Sequence, residues 1–120
     1  MCIRDRHWNG TLWTFFAPPS ESGIQFGTGV TVVSSDDAWA VGDQGGSGTV
    51  SAHFNGKRWS MVSTPILQVK DADNELTGVT NVGADDIWAS GYEDEDDINF
   101  RTPYVLHWTG AAWTLVKRCV

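Results

Sequence analysis

Residues 27–42 read GTGVTVVSSDDAWAVG, and residues 76–91 read LTGVTNVGADDIWASG. The two segments align without a gap over sixteen positions at an offset of 49. Each opens on β-branched residues, passes a turn that ends in Asp-Asp, and resumes as a short apolar run around one Trp. Short β-branched and aromatic runs separated by turn residues are the mark of strands. A second block occurs three times, as HWNGTLWTF from His7, HFNGKRWSM from His53 and HWTGAAWTL from His107. Asn9-Gly10 and Asn55-Gly56 sit between apolar runs. Asn-Gly there signals a hairpin, because the tightest turns require positive φ. Thr109-Gly110 is a weaker copy of the same turn.

The blocks alternate along the chain, so each unit reads as four short strands. In the middle unit these are expected at 29–33, 38–42, 49–54 and 58–63. Pro18, Pro19 and Pro65 fall after fourth strands, and Pro103 is expected just before a third strand, since Pro cannot donate to a sheet ladder. No segment sustains a helical period. The expected fold class is all-β, built from four-stranded antiparallel sheets with apolar residues on both faces.

Composition narrows the function classes. The 120 residues are 41% hydrophobic and 19% charged, which places the chain among globular proteins. Its formal charge of −7 argues against nucleic acid, which needs clustered Lys and Arg, and against an anionic membrane surface. No apolar run reaches the roughly 18 residues of a membrane span. The opening MCIRDR resembles an in-frame translation of a sequencing adapter, so residues 1–6 are set aside as an expected artefact. Setting them aside removes Cys2 and leaves Cys119 alone, which fixes no redox compartment.

The pattern GVT…DD-x-W-A-x-G…HW-x-G-x-x-W resembles the repeats of secreted bacterial β-propeller proteins. It is similar in logic to kelch and tectonin blades and lacks the Gly-His and Trp-Asp signatures of WD40 repeats. The resemblance covers most of residues 7–116. It implies a partial propeller: the outer hairpin of one blade at 7–16, whole blades at 26–65 and 76–116, and an uncertain end at 117–120. A closed propeller has about four to eight blades. Two blades and a hairpin therefore imply a piece of a longer ring, with the remaining blades of the parent chain as neighbours. The resemblance also implies an extracellular or cell-surface location. It is nearly silent on activity, because propellers host many functions.

Repetition separates scaffold from candidate site. Trp13, Trp59 and Trp113 recur in fourth strands and Trp39 and Trp88 in second strands, which favours packing between sheets over sugar stacking. Asp36-Asp37 and Asp85-Asp86 also recur. The turn reading outweighs acid/base or metal chemistry, because Asp at a strand end caps a turn. His7, His53 and His107 occupy one repeat position, and hydrogen bonds between His53 and Asp37 and between His107 and Asp86 are expected. The Gly-rich DQGGSG of residues 43–48 lacks the Gly-Lys-Ser/Thr of a phosphate loop and reads as a hairpin turn.

The non-repeating residues are acidic. The second-to-third-strand loop of the last unit is five residues longer than its counterpart and carries Glu93, Asp94, Glu95, Asp96 and Asp97, then Phe100 and Arg101. The connector entering that unit carries Asp71, Asp73 and Glu75. In a four-stranded meander both loops emerge on one side. A solvated acidic loop is the leading expectation for them. Calcium is the cation such oxygens suit, with Asp71, Asp73, Glu75, Asp94 and Asp96 as its candidate ligands. Leu76 and Val82 stand where a calcium loop needs Gly and Glu, which weakens that reading. The expected function is non-catalytic recognition of a protein, a glycan or a cation through this face. The alternatives are a propeller-fold hydrolase or lyase and a purely structural spacer, since no catalytic or cofactor motif stands out.

Overall fold

The computed structural model describes residues 5–8, 10–16, 24–44, 48–65, 72–95 and 100–118. Among the described residues the chain forms ten strands and no helix. Strands β1 (Asp5–Trp8) and β2 (Trp13–Phe16) make a separate hairpin. The first four-stranded antiparallel sheet runs in chain order through β3 (Ile24–Ser34), β4 (Asp37–Gln44), β5 (Thr49–Phe54) and β6 (Trp59–Val62). The second repeats that order with β7 (Ala72–Gly83), β8 (Asp86–Glu95), β9 (Phe100–Trp108) and β10 (Trp113–Arg118).

The internal repeat holds at the level of backbone detail. The register of β3 against β4 shifts between Val32 and Ser34, and that of β7 against β8 shifts at the matching place, between Asn81 and Gly83. The β1–β2, β5–β6 and β9–β10 turns place Gly10, Gly56 and Gly110 at φ of 96°, 94° and 94°, a conformation that side chains resist. The Asn55 carboxamide oxygen accepts from the Lys57 and Arg58 amides, both at 3.0 Å, which closes the turn around Gly56.

Several strands are longer than the apolar runs that announce them. The connector around Asp73 and Glu75 is the start of β7, and Glu93, Asp94 and Glu95 are the end of β8, so these residues are strand rather than loop. Phe100 and Arg101 open β9. Backbone pairing overrides the loop-like composition: Ala72 pairs with Glu95, Asp73 with Asp94, and Asn74 with Glu93. Pro103 lies inside β9 instead of ahead of it. The β10 register ends at Tyr104, so Pro103 sits where β9 has one described neighbour, which is where Pro is tolerated. The expected turn at 43–48 lies partly outside the described residues, with Asp43 and Gln44 in β4. Cys119, at the uncertain end, lies outside them as well.

The two sheets pack face to face. The front of the first sheet contributes Trp39, 2% exposed, and Val41, fully buried. The back of the second sheet contributes Leu76, Ile87, Ala89, Tyr104, Leu106 and Trp113. Trp39 is the keystone: its ring centroid lies 4.8 Å from Trp108 and 5.6 Å from Trp113, the latter edge-on at 85°. Edge-to-face aromatic pairs add about 0.5–1.5 kcal/mol beyond the area they bury. Trp39 and Trp113 therefore serve packing between the sheets. Trp59 instead sits 5.4 Å from Phe54 within its own sheet.

Candidate functional site

The long edges of the second sheet end at two different kinds of surface. At one end lie the repeated turns. Asp37 Oδ1 is 2.7 Å from His53 Nε2, and Asp86 Oδ1 is 2.6 Å from His107 Nε2. Each imidazole lies against the second-strand Trp, at 4.6 Å for Trp39 and His53 and 4.1 Å for Trp88 and His107. The Trp88 indole also donates to Asp86 Oδ1 at 2.9 Å. The first Asp of each pair has another task. A Cβ on Gly56 would fall 2.7 Å from Asp36 Oδ1, and one on Gly110 would fall 3.1 Å from the Asp85 Cβ. Asp36 and Asp85 thus cover the neighbouring turn, while Asp37 and Asp86 orient a His. Both copies build the same Asp–His and His–Trp contacts, which identifies this end as framework; the indole bond to Asp86 has no counterpart at Trp39.

At the other end, β7, β8 and β9 run on past the repeated region. Because successive strand residues face opposite ways, the acidic segment is split by the pleat. Asn74, Glu93 and Thr102 are register partners and are buried at 7%, 0% and 6% exposure. They continue the back of the sheet, below Tyr104. Glu75 and Tyr92 are partners on the opposite face, where the Tyr92 hydroxyl donates to Glu75 Oε2 at 2.9 Å. The exposed Arg101 stacks over the Tyr92 ring, with its guanidinium carbon 4.4 Å from the centroid, a cation–π contact.

The buried layer is electrostatically marked. Tyr104 is 1% exposed, and its hydroxyl donates to the Glu75 carbonyl oxygen at 3.4 Å. Burial pushes the Tyr104 phenol well above its ordinary range, and the Glu93 and Glu75 carboxylates push it the same way. Tyr104 is therefore a fixed proton donor at neutral pH.

The candidate residues now sort themselves. Glu75, Tyr92 and Arg101 form a connected polar surface. Glu93 is removed from direct contact with a partner because it has no exposed surface. Asp94 pairs in register with Asp73 and with Arg101, so the connector and the acidic run adjoin through the backbone ladder. Glu95 pairs with Phe100. Asp71, Asp96 and Asp97 lie outside the described residues. Of the calcium candidates, only Glu75 has a described side chain. Among the described residues no three His, Cys, Asp or Glu side chains converge as a metal site.

Sequence reasoning passes over Tyr92, Tyr104, Asn74 and Thr102. The signal for the last three is the period-2 alternation of β7 and β9 once those strands are extended. Tyr92 was hidden because it adjoins Gly91, where the repeated segment ends. No family model, curated protein or solved structure matches the chain.

Proposed function

We propose that the chain is a run of β-propeller blades from a secreted or cell-surface protein, and that it serves recognition rather than catalysis. The two stacked sheets act as a rigid scaffold, and the extended end of β7, β8 and β9 carries the contact surface. One observation carries this reading: the polar group of Glu75, Tyr92 and Arg101 is built on a sheet end that departs from the internal repeat. A rigid frame with one asymmetric, strand-mounted surface is the arrangement that recognition modules use. The carboxylates gathered there suit a cationic partner, either a protein segment rich in Lys and Arg or a divalent cation.

Amide chemical-shift mapping with three probes tests the proposal: calcium chloride, a lysine decapeptide and an uncharged oligosaccharide. Shifts at Glu75, Tyr92 and Arg101 that vanish in the Glu75→Gln and Arg101→Ala variants are expected with at least one probe. Shifts confined to the Asp36-Asp37 and Asn55-Gly56 end, or none with any probe, would overturn it.

A further inference from the structure

The turn between β5 and β6 carries a chemistry that its counterpart between β9 and β10 lacks. Both turns close in the same way. The Asn55 amide donates to the Arg58 carbonyl at 3.2 Å, and the Thr109 amide donates to the Ala112 carbonyl at 3.3 Å. Both place a glycine at φ of 94°. Thr109 therefore shows that this turn forms without asparagine. Asn55 adds an electrophile, its side-chain carbonyl carbon, beside the least hindered nitrogen that a main chain offers, that of Gly56. Their closure is a self-modification. The Gly56 nitrogen gives its proton to solvent base and attacks Asn55 Cγ; a C–N bond forms, the carboxamide C–N bond breaks and ammonia leaves. Water then opens the cyclic imide at either carbonyl. One opening leaves aspartate. The other leaves isoaspartate, whose main chain runs through the former side chain and is longer by one methylene. Either product adds one negative charge.

The fold holds this reaction back. Asn55 is exposed, so water and base reach it. Its Oδ1, however, accepts from the Lys57 and Arg58 amides, both at 3.0 Å. The carboxamide is thus tied to the two residues beyond Gly56, and it must leave both bonds before Cγ can meet the Gly56 nitrogen. Asp36 lies against Gly56, with Oδ1 2.7 Å from where a Cβ would stand. A carboxylate there also opposes loss of the Gly56 amide proton, since like charges disfavour ionisation. Below the turn, Phe54 and Trp59 are register partners with ring centroids 5.4 Å apart, which keeps the two strands closed.

We infer that Asn55 is a latent deamidation site, closed while the β5–β6 turn is intact and open when the turn opens. The two products differ in consequence. Aspartate keeps acceptor oxygens for both amides and leaves the turn in place. Isoaspartate lengthens the main chain inside the turn, so Phe54 no longer stands opposite Trp59 and β6 loses its register on β5. The inference concerns the repeated-turn end of the first sheet and is independent of the polar end of the second, so either reading can fail alone.

Peptide mapping of the 120-residue chain during incubation at neutral pH tests it, with asparagine, aspartate and isoaspartate forms separated. Mapping also separates Asn55 from Asn9, the other Asn followed by Gly. Two hydrogen bonds must break first, so conversion at Asn55 is expected to be slower in the native chain than in urea by about tenfold or more. Trp59→Ala loosens the turn, and its rate is expected to fall between those two. Asn55→Thr copies the β9–β10 turn, and is expected to keep the far-UV circular dichroism of wild type while gaining no charge variant at residue 55. Isolated isoaspartate chains are expected to lose amide protection in β6, and aspartate chains to keep it. Equal rates in the native chain and in urea would overturn the inference, as would a folded Trp59→Ala chain that converts no faster than wild type. If Trp59→Ala does not fold, the wild-type comparison decides alone.

Discussion

The Trp113 indole nitrogen donates to the Ser51 hydroxyl at 3.0 Å, across 62 positions of chain and wholly within the interior. The Ser51 hydroxyl in turn donates to the Val62 carbonyl at 2.8 Å. The bond joins β10 of the second sheet to β5 of the first, so it exists only when the sheets are docked. Ser51→Ala removes the acceptor and leaves a buried N–H, which costs about 1–3 kcal/mol. Trp113→Phe removes the donor but also opens space beside Trp39. The two substitutions share one interaction, so the double variant is expected to lose less than the sum of the single losses. Urea denaturation of the four proteins measures this.

Gly56 and Asp36 provide a second cycle. Gly56 has a φ of 94°, and a Cβ there would press on Asp36 at 2.7 Å. Gly56→Ala is expected to cost more than 1 kcal/mol, from backbone strain and the clash together. Asp36→Ala relieves only the clash. The double variant should therefore recover part of the loss, and the remainder measures the strain. Equal stabilities of Gly56→Ala in both backgrounds would show that Asp36 is not the obstacle.

The framework was legible in the sequence because its residues repeat. Asp37 and His53 could be paired from the Asp-Asp and His-Trp blocks, since a contact present twice at the same spacing is constrained twice. The apolar strands were legible from β-branched and aromatic runs, and Thr49–Phe54 is found as expected. The extended end of the second sheet was not. Its strands carry Asp, Asn and Glu, which have low strand propensity, and cross-strand pairing overrides that preference. A five-carboxylate run gives no hint that Glu93 points inward, because composition hides alternation until the register is known. Pro103 misled for a related reason: its cost in a strand depends on whether a neighbour is paired there, which is a property of the sheet.

Gly91 tests that register. A Cβ at Gly91 would lie 2.0 Å from the Glu75 carbonyl oxygen, which is backbone and cannot yield. The close approach occurs where the β7–β8 register shifts beside Leu76, so the glycine lets the polar end continue the sheet. Gly91→Ala is expected to destabilise the chain by about 3 kcal/mol or more. Amide hydrogen exchange should show protection lost first in Glu75, Tyr92 and Thr102, with Ala40 and Ala52 of the first sheet retained. Even loss across both sheets would show that the extension does not depend on this glycine.

Tyr104 links the stability of the fold to alkaline pH. Its phenol is raised above the ordinary value of 10.0 by burial and by the Glu93 and Glu75 carboxylates. The folded chain therefore holds the Tyr104 proton at a pH where the unfolded chain has released it. With more protons bound in the folded state, stability falls as pH rises. The Tyr104 contribution is complete below about pH 10 and declines above it, by up to about 1.4 kcal/mol per pH unit. Tyr104→Phe has no proton to lose. Its melting temperature is expected to be lower at neutral pH, through loss of the bond to the Glu75 carbonyl, and to fall less steeply above pH 10. Glu93→Gln removes one of the two carboxylates and should lower the pH at which the Tyr104 phenolate absorbance appears. Parallel alkaline melting curves for wild type and Tyr104→Phe would show that the phenol is not linked to folding.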